Sequence, residues 1–313
     1  MSSSNQFSEK IAIIIPTRNR PEILKKLLTS IRIQSVQPDL VLIVDGSDQS
    51  IEPEIQEYLN TTTRYVYCYP PSLTKQKNAG LKHLTPEISL VGYLDDDIEL
   101  EPDAIMNLLS YWENHSRNLG GSSFNIINVP SKKTLVTLIR RFFTIDGKLP
   151  GKVLGSGFCT PLFPSEVDID CEWLCGGATV WRRSLFDSYH FDEYFAGWAY
   201  HEDADFSYPV SKKYKLVLIS SAKVTHNPPP FNPKNLKHLG MMAIINRYYF
   251  VSKNKDLSVP LFYWASLGEI LVNVLQSAYY LNMGGIQTAR GNLIGISHIV
   301  RGDLVQFDKN FRK

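Results

Sequence analysis

Ile88-Ser89-Leu90-Val91-Gly92-Tyr93-Leu94-Asp95-Asp96-Asp97-Ile98-Glu99 is an apolar run that stops on three adjacent carboxylates. A buried strand that ends in like charges is costly unless something cationic meets them. In an α/β sheet, ligands bind beyond the C-terminal ends of the strands, so the pattern points to a divalent metal on Asp97. Alternation along a strand puts Asp95 on the same side as Asp97 and Asp96 on the other. Two plainer readings compete. A charge run is commonly a solvated loop, here leading into a helix that starts at Pro102-Asp103. A calcium loop of the EF-hand type needs Gly at its sixth position, where this chain has Leu100, and is excluded.

The chain has 313 residues, 43% of them hydrophobic and 12% aromatic, enough for one large domain or a domain with an appendage. Net charge is only +2, but residues 1–206 carry 19 Lys+Arg against 27 Asp+Glu, and residues 207–313 carry 14 against 4. A basic, aromatic C-terminal third suits an anionic membrane surface or a phosphate-bearing substrate better than nucleic acid. The opening Met1 to Gln6 has neither a basic start nor an apolar core, so a cytoplasmic protein is expected, at the inner face of the membrane if it meets lipid. Four cysteines are too few for a disulfide scaffold and read as packing residues.

Working outward, Ile11 to Ile15 is a β-branched run of strand length, followed by Pro16-Thr17-Arg18-Asn19-Arg20-Pro21 and a helical pattern through Leu24, Leu27, Leu28 and Ile31. Leu40 to Val44 is a second strand ending on Asp45-Gly46-Ser47, with a short helix at Glu52–Leu59. Arg64 to Cys68 is the third strand, and Thr74 to Leu84 the third helix. The aspartate strand and a helix from Pro102 to Trp112 follow. This alternation predicts a doubly wound, mostly parallel sheet whose polar strand ends, at Thr17, Asp45 and Asp95, gather at one edge. Leu119 to Ile127 reads as another strand. Residues 128–172 read as an insertion with an amphipathic basic segment at Thr134–Thr144, and Trp173 to Trp181 as a strand weakened by Gly176 and Gly177.

No G-x-G-x-x-G follows the first strand, and no G-x-x-x-x-G-K-[ST] occurs. A diphosphate would have to be met by the metal, by Lys75 and Lys77, and by the N-terminal amides of the third helix. A second acidic cluster, His201-Glu202-Asp203-Ala204-Asp205, reads either as an acidic helix start stabilised by the helix dipole or as the seat of a general base. One cluster for metal and one for proton removal make a coherent transfer site.

At this point the sequence resembles the family 2 glycosyltransferases, which have the GT-A fold, from about Ile11 to His226. Pro16, Thr17 and Arg18 lie in what looks like the nucleotide-binding first turn, and Asp45 in a second whose Asp meets the uracil or thymine ring. Lys77-Asn78-Ala79-Gly80 is similar to the basic-Asn-x-Gly element, with Lys where Arg is commoner. Tyr93 to Asp97 resembles the D-x-D metal motif, which adds Asp95 and Asp96 to the donor-binding residues. Cys175-Gly176-Gly177-Ala178 resembles the glycine-rich acceptor strand, and His201-Glu202-Asp203 the base motif, which makes Asp203 the base with Glu202 beside it. His226 stands where a further metal ligand is often found. Trp198 is a candidate to stack on a sugar face or a buried core residue.

The resemblance implies an inverting, non-processive transferase of the hexosyl or deoxyhexosyl type, using Mn2+ or Mg2+, a UDP- or dTDP-linked sugar donor and a glycan or lipid-linked acceptor. It departs from the family at Tyr208-Pro209-Val210, where an Arg is often found and where the proline should bend or end the helix. It also departs at Gln287-Thr288-Ala289-Arg290-Gly291, which lacks the processive Q-x-x-R-W. A sugar-nucleotide nucleotidyltransferase and a non-catalytic nucleotide- or carbohydrate-binding module are the competing readings.

The expected organisation is a GT-A-like domain over residues 1–230 and a helical C-terminal region over 231–313. Within the latter, Leu236–Val251 reads as a helix. Leu257–Met283 reads as one or two amphipathic helices, ended by Gly284-Gly285, that cover the core or lie in a membrane interface.

Overall fold

The computed structural model describes residues 7–115, 118–129, 136–197, 199–229 and 233–302. The chain divides into two compact units. The first takes Met1–Pro130, Leu162–Glu193 and Phe206–Pro229, and the second takes Ser131–Pro161, Tyr194–Asp205 and Pro230–Lys313. The second unit's last segment starts at Pro230, and the unit also takes residues 131–161 and 194–205.

In the first unit the β-branched runs become strands β1 (Ile11–Thr17) and β2 (Leu40–Asp45), buried along their whole length. With β3 (Thr63–Tyr67) and β4 (Leu90–Leu94) they form a parallel block in the order β3-β2-β1-β4. Side chains of β1 alternate between two cores: Ile11, Ile13 and Ile15 face one cluster, and Ala12 and Ile14 the other. Both faces are therefore covered, as a doubly wound sheet requires. Helix α1 (Pro21–Arg32) starts on a proline and buries Leu24, Leu27, Leu28 and Ile31. Helices α2 (Leu73–Leu81) and α3 (Ala104–His115) follow. The stretch expected as a short helix at Glu52–Leu59 is a 3-10 helix, Pro53–Tyr58.

Beyond β4 the sheet becomes mixed. It adds β5 (Ile98–Leu100), β6 (Leu119–Ile126), β7 (Ile169–Cys171), β8 (Ala178–Arg182) and β9 (Lys215–His226) in the order β4-β8-β6-β9-β5, with β7 also on β9. Two expectations are corrected here. Strand β4 ends at Leu94, so the three aspartates do not alternate along a strand; they form a turn in which Ile98 N donates to Asp95 O at 3.1 Å. Likewise β8 starts only at Ala178, and Gly176-Gly177 lie in the turn before it.

The second unit is helical. Helix α4 (Val136–Phe142) is the described part of the basic segment; Thr134 and Leu135 lie outside the described residues. Helix α5 (Glu202–Ser211) begins in this unit, and its residues from Phe206 onward belong to the first. It carries Pro209 inside it and runs on to Ser211, so the proline does not end the helix. Then come α6 (Leu236–Lys253), α7 (Val259–Tyr279) and α8 (Gly284–Arg301). Gly284 and Gly285 open α8 rather than merely closing the apolar stretch. Helices α6 and α8 approach backbone to backbone: a Cβ on Gly291 would lie 2.0 Å from Lys237 O, and one on Gly240 2.3 Å from Thr288 O. No helix among the described residues is long and apolar enough to cross a membrane.

Candidate functional site

The parallel strands end side by side, with Thr17 paired in register to Asp45. Gln76 on α2 ties these ends together, its Nε2 donating to Thr17 O at 2.9 Å and Val44 O at 2.7 Å. Against this edge lies the Asp95-Asp96-Asp97 turn. Thr17 Oγ1 donates to Asp96 Oδ2 at 2.7 Å, and Arg20 donates to Asp96 Oδ1 at 3.0 Å. Asp96 is buried, and that burial raises its pKa to about 6 against the opposing pull of Arg20 and Thr17. The sequence reading singles out Arg18 in this turn, whereas the structure puts Arg20 on the aspartates and pairs Arg18 with exposed Asp48 at 3.1 Å. Arg20 also lies 3.6 Å from Asp97.

Asp97 Oδ1 lies 3.1 Å from His226 Nε2, because the antiparallel pairing of β5 with β9 sets Ile98 opposite His226. The hydrogen bond to Asp97 raises the His226 pKa, and partial burial opposes it. Asp95 is held by its backbone, N to Gly177 O at 2.8 Å. Its carboxylate packs over the same glycine: a Cβ on Gly177 would sit 2.5 Å from Asp95 Oδ2. The sequence-predicted ligands thus divide into Asp97 and His226, which touch, and Asp95, which lies on the glycine turn. Among the described residues no three His, Cys, Asp or Glu side chains converge closely enough to cage a metal by themselves. A carboxylate and an imidazole do fit an Mn2+ or Mg2+ ion that takes its remaining ligands from water and substrate phosphate.

Asp45 is fully buried, with Ser47 N at 2.8 Å, Ile51 N at 3.1 Å and the Tyr65 hydroxyl at 2.5 Å all donating to it. It organises the turn after β2. Asn19, with φ of 55°, latches the turn after β1 onto that one: its N donates to Ser47 Oγ at 2.7 Å and its Oδ1 accepts from Asp48 N at 3.1 Å. Pro16 is buried opposite Val44. Lys77 is only 1% exposed, its Nζ donating to Gly176 O at 3.3 Å and lying 4.9 Å from the Phe191 ring centroid. Asn78 brackets Phe191, donating to its O at 2.9 Å and accepting from its N at 3.3 Å. The Lys-Asn pair of α2 therefore ties down the Gly176 and Phe191 segments.

The second acidic cluster belongs to the other unit. Its loop turns through left-handed backbone at Gly197, Ala199 and His201 (φ 65°, 50° and 80°) before α5 starts. Asn246 Nδ2 donates to Tyr200 O at 2.7 Å, and Lys253 Nζ pairs with buried Asp205 at 2.7 Å. Glu202 is buried, and Asp203 Oδ1 accepts from Ala204 N at 2.8 Å in the first turn of the helix. Trp198 lies outside the described residues.

Comparison with solved structures finds the same kind of sheet in GalNAc-T7 with UDP, GalNAc and Mn2+ (TM-score 0.56, 16% identity, 84% of this chain covered). This chain spans 55% of that chain's length. TarS 1–349 of S. aureus is also similar, with a TM-score of 0.49 and 13% identity over 94% of this chain and 92% of that one. At 16% identity the first likeness speaks to the fold alone: a mixed α/β GT-A architecture with helices at the C-terminus. A search of curated proteins finds no match. The sequence model for glycosyl transferase family 2 matches residues 12–170, a span that holds β1 to β4, the aspartate turn and the Lys-Asn pair, and this chain belongs to that family.

Proposed function

We propose that the chain is a metal-dependent, inverting glycosyltransferase. It moves a hexosyl or deoxyhexosyl group from a UDP- or dTDP-linked donor to a hydroxyl of a glycan or lipid-linked acceptor in the making of cell-surface glycan or polysaccharide. The observation that carries this reading is the pairing of Asp97 with His226 at the C-terminal edge of the parallel strands in a family 2 chain. GalNAc-T7 is described with UDP, GalNAc and Mn2+, and the proposal extends that donor and metal class to this chain.

Asp97 and His226, joined by Asp95, would hold the ion, which when bound supplies positive charge against the departing diphosphate. Thr17 and Arg20 fix the aspartate turn through Asp96. Asp203 takes the proton from the acceptor hydroxyl as that oxygen attacks the anomeric carbon. The bond to the diphosphate breaks with its electron pair leaving on phosphate oxygen, and attack opposite the leaving group gives inversion. Gly176 and Gly177 offer the acceptor close approach to backbone.

The test is release of nucleoside diphosphate from UDP- and dTDP-sugars, with Mn2+ or Mg2+, in wild type and Asp203→Asn. Loss of about 10²–10⁴-fold in the variant supports the base assignment, and wild-type turnover in it refutes that assignment. Pyrophosphate release from a nucleoside triphosphate and a sugar phosphate would favour the nucleotidyltransferase reading instead. Binding without turnover would favour the binding module.

A further inference from the structure

Helix α7 is 21 residues long, and its exposed side chains are all apolar or aromatic, with Glu269, Asn273 and Gln276 only partly exposed. Trp264, Leu267, Leu271, Val274, Leu275 and Tyr279 are between 38% and 81% exposed and recur at helical spacing down one side. The single charged residue of the helix, Glu269, is turned to buried Arg247 at 2.9 Å. An exposed helix face with no charge along about 30 Å of its length is a surface that needs an occupant.

The patch continues at both ends. Helix α4 lies beside α7, with Trp264 Nε1 donating to Phe142 O at 3.0 Å. It adds Leu138 (66% exposed) and Phe142 (67%). At the far end the turn into α8 holds up Leu281, 92% exposed. The second unit is basic in composition, with 16 Lys+Arg against 8 Asp+Glu, and Arg140 and Arg141 on α4 stand next to Phe142.

We infer that the exposed face of α7, with the adjoining side of α4 and the Leu281 turn, docks on an anionic lipid bilayer, lying in the headgroup interface. An apolar stripe with Trp264 and Tyr279 near its ends and the Arg140-Arg141 pair beside it, in a unit of net positive charge, matches that surface in charge and in polarity. The stripe spans about 140° of the helix, wider than the two-in-seven seam of a helix pair. Two copies joined through it would bring like charges together, whereas anionic lipid neutralises them. The other side of α7 is packed through Phe262, Ala265, Gly268 and Val272, so the helix rests on the interface and does not enter the hydrocarbon core as a span. The inference stands on the second unit alone and survives a failure of the catalytic reading.

The experiment is flotation of the full-length protein with vesicles of phosphatidylcholine, with and without phosphatidylglycerol. Wild type should float with the anionic vesicles and much less with phosphatidylcholine alone or in about 0.5 M salt. The Leu267→Glu/Leu271→Glu double variant should lose flotation about tenfold with unchanged circular dichroism, and each of Arg140→Gln and Arg141→Gln should weaken it about fivefold. Should the double variant misfold, a vesicle-induced blue shift of tryptophan emission that disappears in Trp264→Phe reads the same contact. Wild type left in the soluble fraction, or the folded double variant floating as well as wild type, would overturn the inference. A dimer seen by light scattering and split by the double variant, without vesicle binding, would overturn it in favour of a second copy.

Discussion

His226 Nε2 and Asp97 Oδ1 stand 3.1 Å apart although 129 positions separate them in the sequence, because β9 returns antiparallel along β5. A carboxylate and an imidazole fixed side by side by a strand pairing are the two residues proposed to hold the ion. In a thermal-shift titration, Mn2+ with UDP should stabilise the wild type, by about 2.7 kcal/mol at a hundredfold excess over Kd. Asp97→Ala and His226→Ala should each lose most of that shift while keeping the fold. Retention of the full shift in both would remove these residues from the metal site.

Gly177 offers a way to reach Asp95 without altering it. A Cβ there would meet Asp95 Oδ2 at 2.5 Å and Cγ at 3.1 Å, so Gly177→Ala should push the carboxylate out of place. The far end of a side chain can move, so the cost in stability should stay within about 1 kcal/mol. Turnover of a sugar nucleotide, or the Mn2+-dependent shift, should fall by about tenfold or more. An unchanged Mn2+ titration in this variant would mean that Asp95 is not needed for the ion.

Asp96 carries the structural load of the aspartate turn. It is buried with Thr17 on one oxygen and Arg20 on the other. Thr17→Val removes a hydrogen bond from a buried carboxylate and should cost about 1–3 kcal/mol in urea unfolding. Arg20 is partly exposed, so water can replace some of what Arg20→Ala removes, and a cost at the lower end of that range is expected. A neutral Thr17→Val variant would show that the turn is held by other means.

The parallel half of the sheet is legible in the sequence because each of its central strands is a short, unbroken apolar run with a polar residue at its end. The turn at Asp95–Asp97 is not legible in the same way. Alternation assumes that a strand continues, and nothing in Leu94-Asp95 marks where it stops. Arg20 is hidden for a related reason: beside Pro21 it reads as a helix flank, and only the folding of β4 against β1 brings Asp96 to it. Helix α8 escapes because Gly284-Gly285 reads as a terminator. In the structure Gly285 gives backbone room, a Cβ there lying 2.0 Å from Asn273 O. The interleaving of residues 131–161 and 194–205 with the C-terminal helices has no local signal, since it depends on which apolar faces meet. His201 and Arg247 likewise read as ordinary polar residues until packing buries Arg247 and half-buries His201.

That burial should make the second unit sensitive to acid. His201 is half-buried with no hydrogen-bond partner on Nε2, and desolvation first, then the nearby Arg247 charge, lowers its pKa from 6.5 to about 3. In the unfolded chain the imidazole takes up its proton near the ordinary value, so between about pH 6.5 and 3 the unfolded state binds more protons than the folded one. Stability contributed by the neutral imidazole is therefore fully present above about pH 6.5 and falls as the pH drops, by up to about 1.4 kcal/mol per unit. His201→Asn removes the titration and tolerates the φ of 80° at this position, since Asn adopts left-handed backbone more readily than most residues. Thermal unfolding at pH 7 and pH 5 should show a clearly larger loss of Tm in wild type than in His201→Asn. Equal losses in the two proteins would place the acid sensitivity elsewhere and leave the loop before α5 without a role in it.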